Sequence, residues 1–571
     1  SVMVLIKSVP ADNPTQATRE SMMHIHIGAV SAVEQRRIKA ALADLLKDVR
    51  HVVGDWRQMI EKLAATIRSY KSNPPPIEVH RLAEAVQFLE WLMENNYTFL
   101  GAREYRYDDR AERFVQPIKG SGLGILQDPS VHILKRGDEL VEITPEIREF
   151  MIRPDPLIIS KANVRSRIHR RIHMDYIGVK LYDVSGQVTG ELRLVGLFTS
   201  TVYAYSINAI PYLRHKAHQV MEASGFDANS HSGKALWSVL ESYPRDELFQ
   251  IGAQQLEEFA LSILALDGRS KVRVLPRWDR FDRYVSVLVY VPRDRYNTDV
   301  RIKIGDYLSQ VFEGAVSSFY PGFPEGLLAR VHFIIRRKMG ERPAIVRSDL
   351  ERAITGLIAT WEDGLTKALS DSEEARLIKR YHHAFSAAYR EAFEPAQALH
   401  DLYMVEKLVD AERIEAEFYR RADMPDERVG LKLFHLETPI ELSTRVPMLE
   451  FMGFRVINER TYRIEPEGGR LRYLHDMTLA TSSGRLVDLG VSKERLEAML
   501  LAIWQEQTGN DGYNALAVTG GLNWRDVAML RTVSRYLQQI GVAYSQEYMW
   551  QALNRNAAIA VELVSLFHAR F

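Results

Sequence analysis

Two stretches of this chain carry the same succession of hydrophobic periods, and that succession constrains the fold more than any single motif. In the first, a helical period over residues 246–266 precedes strand patterns at 271–277 and 284–291. A helix over 298–312 follows, then strands near 316–320 and 330–335, then a helix from Ser348. The order αββαββ is a cyclic permutation of βαββαβ, which predicts a ferredoxin-like, ACT-type module. In the second stretch, strand 429–436, helix 440–452, strands 455–464 and 471–479 and helix 493–507 give βαββα, the same order without a final strand. The two share topology rather than a sequence period, so no short solenoid repeat is implied.

The chain opens on strand patterns at 2–9 and 22–27. Ser31 then starts a helix with Glu34 at its third position, the spacing of a capping box. Leu42, Leu45, Leu46, Val49, Val52, Val53 and Trp56 carry an apolar stripe along it. This piece reads as the end of a third unit whose first strand and helix are missing. With a helix still running at Phe571, both ends read as cut.

Asn73-Pro-Pro-Pro76 is the clearest linker, because consecutive prolines donate no N–H and hold the chain extended. It is expected to be an exposed joint. Beyond it a helix over 79–95 leads into a stretch rich in short strands, among them 98–107, 157–160, 176–183 and 192–198. Helical segments are expected over 372–418, after Asn523 as an N-cap, and from Ser545 onward. The fold class expected is α+β and multidomain, divided at 1–72, 77–210, 211–268, 269–346, 347–428, 429–510 and 511–571.

At 571 residues the chain is too long for one core. Lys+Arg and Asp+Glu both number 74, which lacks the basic excess of a nucleic-acid binder. Zero Cys excludes disulfide frameworks, zinc ribbons and cysteine nucleophiles. No apolar run approaches the roughly 20 residues that span a bilayer, so a soluble, cytoplasmic protein without membrane partners is expected.

Hydride transfer would need Gly-x-Gly-x-x-Gly between a strand and a helix. The nearest match, Gly120-Ser-Gly122-Leu-Gly124, has Ile125 where the third glycine belongs, and Gln127-Asp-Pro129 breaks a helix, so it reads as a turn between strands. Gly520-Gly521 before the Asn523 helix reads as a Gly-Gly turn, with an anion site as the rival reading. The basic run Arg165–His173 reads as a solvated hairpin, with an anion contact as its rival. His24 and His26 alternate onto one strand face as a surface or interface pair. Asp108-Asp109 reads as a turn and Glu373-Glu374 as an acidic helix start. No metal site is expected. The best polar candidate is Pro292-Arg-Asp-Arg-Tyr-Asn-Thr298, where a strand ends and a helix begins. Arg293 and Arg295 would meet a carboxylate, and Asn297 or Thr298 would cap the helix or hold an amine. In the rival reading, Asp294 and the arginines lock the turn to a neighbouring domain.

An ordered set of segments resembles the N-terminal half of the large bacterial NAD-specific glutamate dehydrogenases. The set includes Asp175-Tyr-Ile-Gly-Val-Lys180, Gly196-Leu-Phe-Thr-Ser200, His231-Ser-Gly-Lys-Ala-Leu236, Tyr243-Pro-Arg-Asp-Glu-Leu-Phe249 and Tyr290-Val-Pro-Arg-Asp-Arg-Tyr-Asn297. Phe99-Leu-Gly101, Leu449-Glu-Phe-Met-Gly453 and Gly521-Leu-Asn-Trp-Arg525 fit the same series, so the resemblance covers nearly the whole chain. It implies ACT-like modules, a PAS-like module over 77–210, and a parent enzyme that oxidises glutamate with NAD. The family's catalytic lysine sits beside Gly-rich sequence, and the only Lys-Gly pair here, Lys119-Gly120, lies in a different context. No catalytic residue carries over. The implication is a segment without NAD of its own, serving self-association into a homo-oligomer or the sensing of an amino-acid effector.

Overall fold

The structure is a computed structural model and describes residues 2–8, 19–108, 113–136, 139–337, 341–370, 377–421, 424–484 and 486–570. The chain divides into two units, Ser1–Ile358 and Ala359–Phe571. No helix among the described residues is long and apolar enough to cross a membrane.

The first unit begins with an antiparallel hairpin of Val2–Ser8 and Arg19–Ile25. A 41-residue helix, Ala32–Ser72, follows. Its start is the expected capping box: Glu34 N–H donates to Ser31 Oγ at 3.2 Å, and Ser31 N–H donates back to Glu34 Oε2 at 3.0 Å. Of the expected stripe, Leu42, Leu46, Val53 and Trp56 are exposed, and burial shifts to Met59, Leu63, Ile67 and Tyr70. These last four join the core of the next module, together with Phe88, Leu89 and Ile177. The proline run is exposed as expected at Asn73, Pro74 and Pro76, with Pro75 buried, but it is a bend between two helices of one core rather than a free joint. Proline fixes the bend without deciding what the flanking helix packs on.

After helix Val79–Trp91 comes a six-stranded antiparallel sheet. Its main path runs Val115–Pro117, Tyr97–Tyr107, Val188–Phe198, His173–Tyr182, Leu157–Arg165, with Leu123–Gly124 also paired to Tyr97–Tyr107. The helices Leu213–Ser224, His231–Ser242 and Ala253–Leu264 share a core with this sheet. The helix expected over 246–266 is broken at Ile251-Gly252 into Arg245–Gln250 and Ala253–Leu264.

The first module expected from the sequence follows. Its four strands lie in the order Arg273–Trp278, Tyr284–Pro292, Leu328–Arg337, Gly314–Gly322, all antiparallel. The strand Arg273–Trp278 takes the edge that the last strand of βαββαβ would occupy, as cyclic permutation requires. Val287, Val289, Val331, Phe333 and Ile335 meet Ile304, Leu308, Leu350 and Ile354 of the helices Thr298–Val311 and Arg347–Leu357. Alternate residues on the same strands face the other way, and Leu275, Leu288 and Tyr290 enter the core of the preceding helices. Both faces of this sheet are covered.

The second unit repeats the module. Its strands lie in the order Glu415–Tyr419, Arg428–Leu436, Arg472–Thr481, Phe454–Ile464, with helices Leu442–Phe451 and Leu489–Trp504. The strand Glu415–Tyr419 lies where a helical segment was expected. Its Ala and Glu content reads as helical, whereas Ala416 and Phe418, two apart, share a face and enter the core. It supplies the edge strand missing from the sequence pattern. On the other face, the helices Trp361–Ser370 and Pro395–Glu406 pack on Phe434, Tyr462, Ile464 and Leu474. Glu373-Glu374 lies outside the described residues, as does Asp109. Asn523 caps the helix Trp524–Gln539 as expected, and the helix expected from Ser545 breaks at Asn556 into Gln546–Arg555 and Ala557–Arg570.

Candidate functional site

Arg293, Arg295, Asn297 and Thr298 stand between the strand Tyr284–Pro292 and the helix Thr298–Val311. Asn297 is the N-cap, and its Oδ1 accepts from Val300 N–H at 2.8 Å. That oxygen is taken by the helix. The Arg293 guanidinium lies over the Phe323 ring at 5.3 Å from its centre, and Arg295 Nε is 3.4 Å from Asp294 Oδ2. Arg293, Asn297 and Thr298 are exposed. The turn's own neighbours engage both arginines, and none of the four residues lines the cavity of the same unit.

That cavity, of about 470 Å³, lies against the sheet face of the first module that looks away from its helices. The strand Leu328–Arg337 supplies Arg330, His332, Ile334 and Arg336, and the edge strand supplies Ser318 and Tyr320. The opposing wall holds Lys161, Arg170 and His173 of the basic hairpin, and residues 244–247 at the start of the helix Arg245–Gln250. The hairpin expected at 165–173 is present, with Arg165 paired to His173. It faces a cavity rather than bulk water alone.

Behind this wall lies a dense set of buried ion pairs. Lys161 Nζ is 2.6 Å from Asp175 Oδ1 and 3.1 Å from Asp246 Oδ1. Arg283 donates to Asp279 Oδ2 at 2.7 Å, Ser160 Oγ at 2.7 Å and the Lys161 carbonyl at 2.6 Å. Arg277 grips Glu247, whose Oε1 is 3.8 Å from His332 Nε2. His332 Nε2 also meets Ser286 Oγ at 2.7 Å. Burial pushes the Asp175 carboxyl up to about 6, with Lys161 opposing and Asp246 reinforcing. Burial likewise works against the charge on Lys161, but Asp175 and Asp246 hold its ammonium well above the usual lysine range. Burial lowers His332 and His173, so both are neutral at neutral pH. The result is a rigid wall whose acids are mostly committed to internal partners.

The remaining sequence candidates are turns or surface groups. Gly120–Gly124 joins Val115–Pro117 to Leu123–Gly124, and Gly124 has φ +60 with the Leu100 carbonyl where a Cβ would stand. Gly521, at φ +68, precedes the Asn523 cap, whose Oδ1 already accepts from Arg525 N–H and Asp526 N–H at 3.0 Å each. The rings of His24 and His26 are exposed and 4.3 Å apart. No group of three or more His, Cys, Asp or Glu that would hold a metal occurs among the described residues. Arg330, His332 and Arg336 carry no motif in the sequence and alternate with Val331, Phe333 and Ile335. Alternation marks a two-faced strand, and it leaves open whether the polar face meets water or a second layer.

Five glutamate dehydrogenase models match in chain order. They are helical motif 1 over residues 210–269, the ACT2 domain over 273–362, helical motif 2 over 365–408, the ACT3 domain over 413–491 and helical motif 3 over 508–571. The two four-stranded modules are thus ACT-type domains. Among curated proteins, the chain is similar to the NAD-specific glutamate dehydrogenase of Halomonas elongata, 35% identical over 574 residues, covering 98% of this chain and 35% of that protein. The Pseudomonas aeruginosa protein of the same name is 35% identical, covering 97% and 34%. That of Mycobacterium tuberculosis is 28% identical, covering 97% and 34%. The chain spans about a third of the length of these relatives.

Proposed function

We propose that this chain is a regulatory and assembly segment of an NAD-dependent glutamate dehydrogenase, from the N-terminal, non-catalytic part of that enzyme. The parent reaction would convert glutamate, NAD and water to 2-oxoglutarate, ammonium and NADH. The observation that carries the reading is the ordered run of ACT-domain and helical-motif matches, within a similarity that covers nearly all of this chain and a third of each relative. The failed Gly-rich fingerprint at Gly120–Ile125 supports placing NAD with another region of the parent. The open sheet between Tyr97 and Phe198, with helices against it, supports reading that module as PAS-like.

The test is an assay of the purified chain with glutamate and NAD, alongside sedimentation. The expected result is no NADH and a stable homo-oligomer. NADH formed by this chain alone would overturn the non-catalytic reading, and a monomer at micromolar concentration would overturn the assembly role. A second reading, in which the modules chiefly sense a small ligand, is favoured by the cavity beneath the first ACT-type sheet. Coupling would then require two arrangements of the parent that bind the ligand unequally.

A further inference from the structure

We propose that the cavity against the face of the first ACT-type sheet that looks away from its helices binds an organic oxyanion, a carboxylate or phosphate ester carried on an apolar or aromatic body. The proposal does not depend on the parent reaction. It stands on the wall's charge, its held guanidinium groups and its size.

The cavity is lined by Lys161, Arg170, Arg245, Arg283, Arg330 and Arg336, against only Asp246 and Glu247. Internal pairing removes Lys161, Arg283 and both acids from the balance, since each has an ionic partner within 3.1 Å. Arg245 is paired with Glu241 at 3.4 Å, so Arg170, Arg330 and Arg336 remain as the positive excess. Two of these are held at one end by backbone carbonyls: Arg170 on Phe198, and Arg330 on Ser242 at 2.5 Å. An oxyanion with several lone pairs suits a wall of arginines already held in place. The guanidinium groups are already oriented, so binding would not spend freedom on ordering them.

A bare inorganic ion would fill a small part of a 470 Å³ space. Tyr203, Tyr284, Tyr320, Ile172 and Ile334 also line it, which suits an organic body beside the charged group. The walls come from the hairpin, a helix start and a sheet, far apart in sequence. A ligand there would tie these elements together.

The experiment is calorimetric titration of the whole chain with three probes: L-aspartate, adenosine monophosphate and inorganic phosphate. The variants are Arg330→Gln and Arg336→Gln, with Arg352→Gln on an exposed helix as control. Arg336 is exposed, so its loss leaves the fold intact even where Arg330→Gln is poorly folded. The expected result is one-to-one binding of aspartate or the nucleotide, weakened about tenfold or more by either cavity substitution and unchanged in the control. Aspartate alone would identify a carboxylate, and the nucleotide alone a phosphate ester. Binding of neither organic probe, binding of inorganic phosphate only, or binding indifferent to Arg330→Gln and Arg336→Gln would overturn the proposal.

Discussion

Arg277 and Glu247 meet in two parallel hydrogen bonds, Nε to Oε2 at 2.6 Å and Nη2 to Oε1 at 2.7 Å, with both side chains withdrawn from water. One residue belongs to the edge strand of the first ACT-type sheet and the other to the short helix Arg245–Gln250. The pair fixes where the sheet face lies against that helix, and so the shape of the cavity between them.

Breaking a buried pair by removing one partner typically costs about 3–5 kcal/mol, whereas replacing both with apolar groups costs far less. Arg277→Met therefore strands the Glu247 carboxylate beside a neutral His332 and should destabilise residues 1–358 by about that amount. The double variant Arg277→Met, Glu247→Leu should recover most of the loss. Urea unfolding of the three proteins checks this. A single-variant loss under about 1 kcal/mol would show that the pair is not anchoring the sheet.

In the second unit, His475 is neutral by construction. Ile440 N–H donates to its Nε2 at 3.0 Å, and Thr461 Oγ1 and Glu459 Oε1 lie 2.9 and 3.3 Å from Nδ1. Burial, with Arg445 beside it, lowers the imidazole to about 4. A folded value below the unfolded one means the unfolded chain takes up the proton first. Stability should be full above about pH 6.5 and fall as pH drops towards 4. His475→Gln should flatten that slope between pH 6.5 and 5 in urea melts. An unchanged slope in the variant would assign the acid sensitivity to other groups.

The two ACT-type modules were legible because their strands and helices change period cleanly, from two to 3.6, at turns rich in polar residues. The edge strand Glu415–Tyr419 was not, since five residues carry too few apolar positions to outweigh Ala and Glu composition. The cavity was harder still. Arg330, His332 and Arg336 alternate with apolar residues, a pattern that leaves the cover of their face open, and only the three-dimensional packing of the hairpin and the helix Arg245–Gln250 shows what covers them. Residues 243–249 stood out as a motif without disclosing that Glu247 pairs with a residue 30 positions away.

Asn297 offers a check on the turn singled out from sequence. Its side chain is already spent on Val300 N–H, so Asn297→Ala should cost about 1 kcal/mol of stability through a lost helix cap. In a thermal-shift screen of amino acids, the variant should melt lower than the native chain by the same margin with or without ligand. An amino acid whose stabilising effect disappears in Asn297→Ala, Arg293→Ala or Arg295→Ala would instead make the turn a binding site.

Tyr70 decides how the long first helix behaves. It is 3% exposed, and its hydroxyl donates to the Lys180 carbonyl at 2.6 Å, one turn before the proline bend. With Met59, Leu63 and Ile67 buried on the same helix face, cleavage near Lys71 would require this stretch to lift off the sheet. Native trypsin digestion should therefore leave residues 1–71 attached under conditions that cut exposed loops. Tyr70→Ala removes a buried aromatic side chain, a change that typically costs about 3–5 kcal/mol, and should open the site to cleavage near Lys71. Tyr70→Phe loses only the hydrogen bond, about 1 kcal/mol, and should stay protected. Rapid release of the N-terminal piece from the native chain would mean that the helix is not docked in this core.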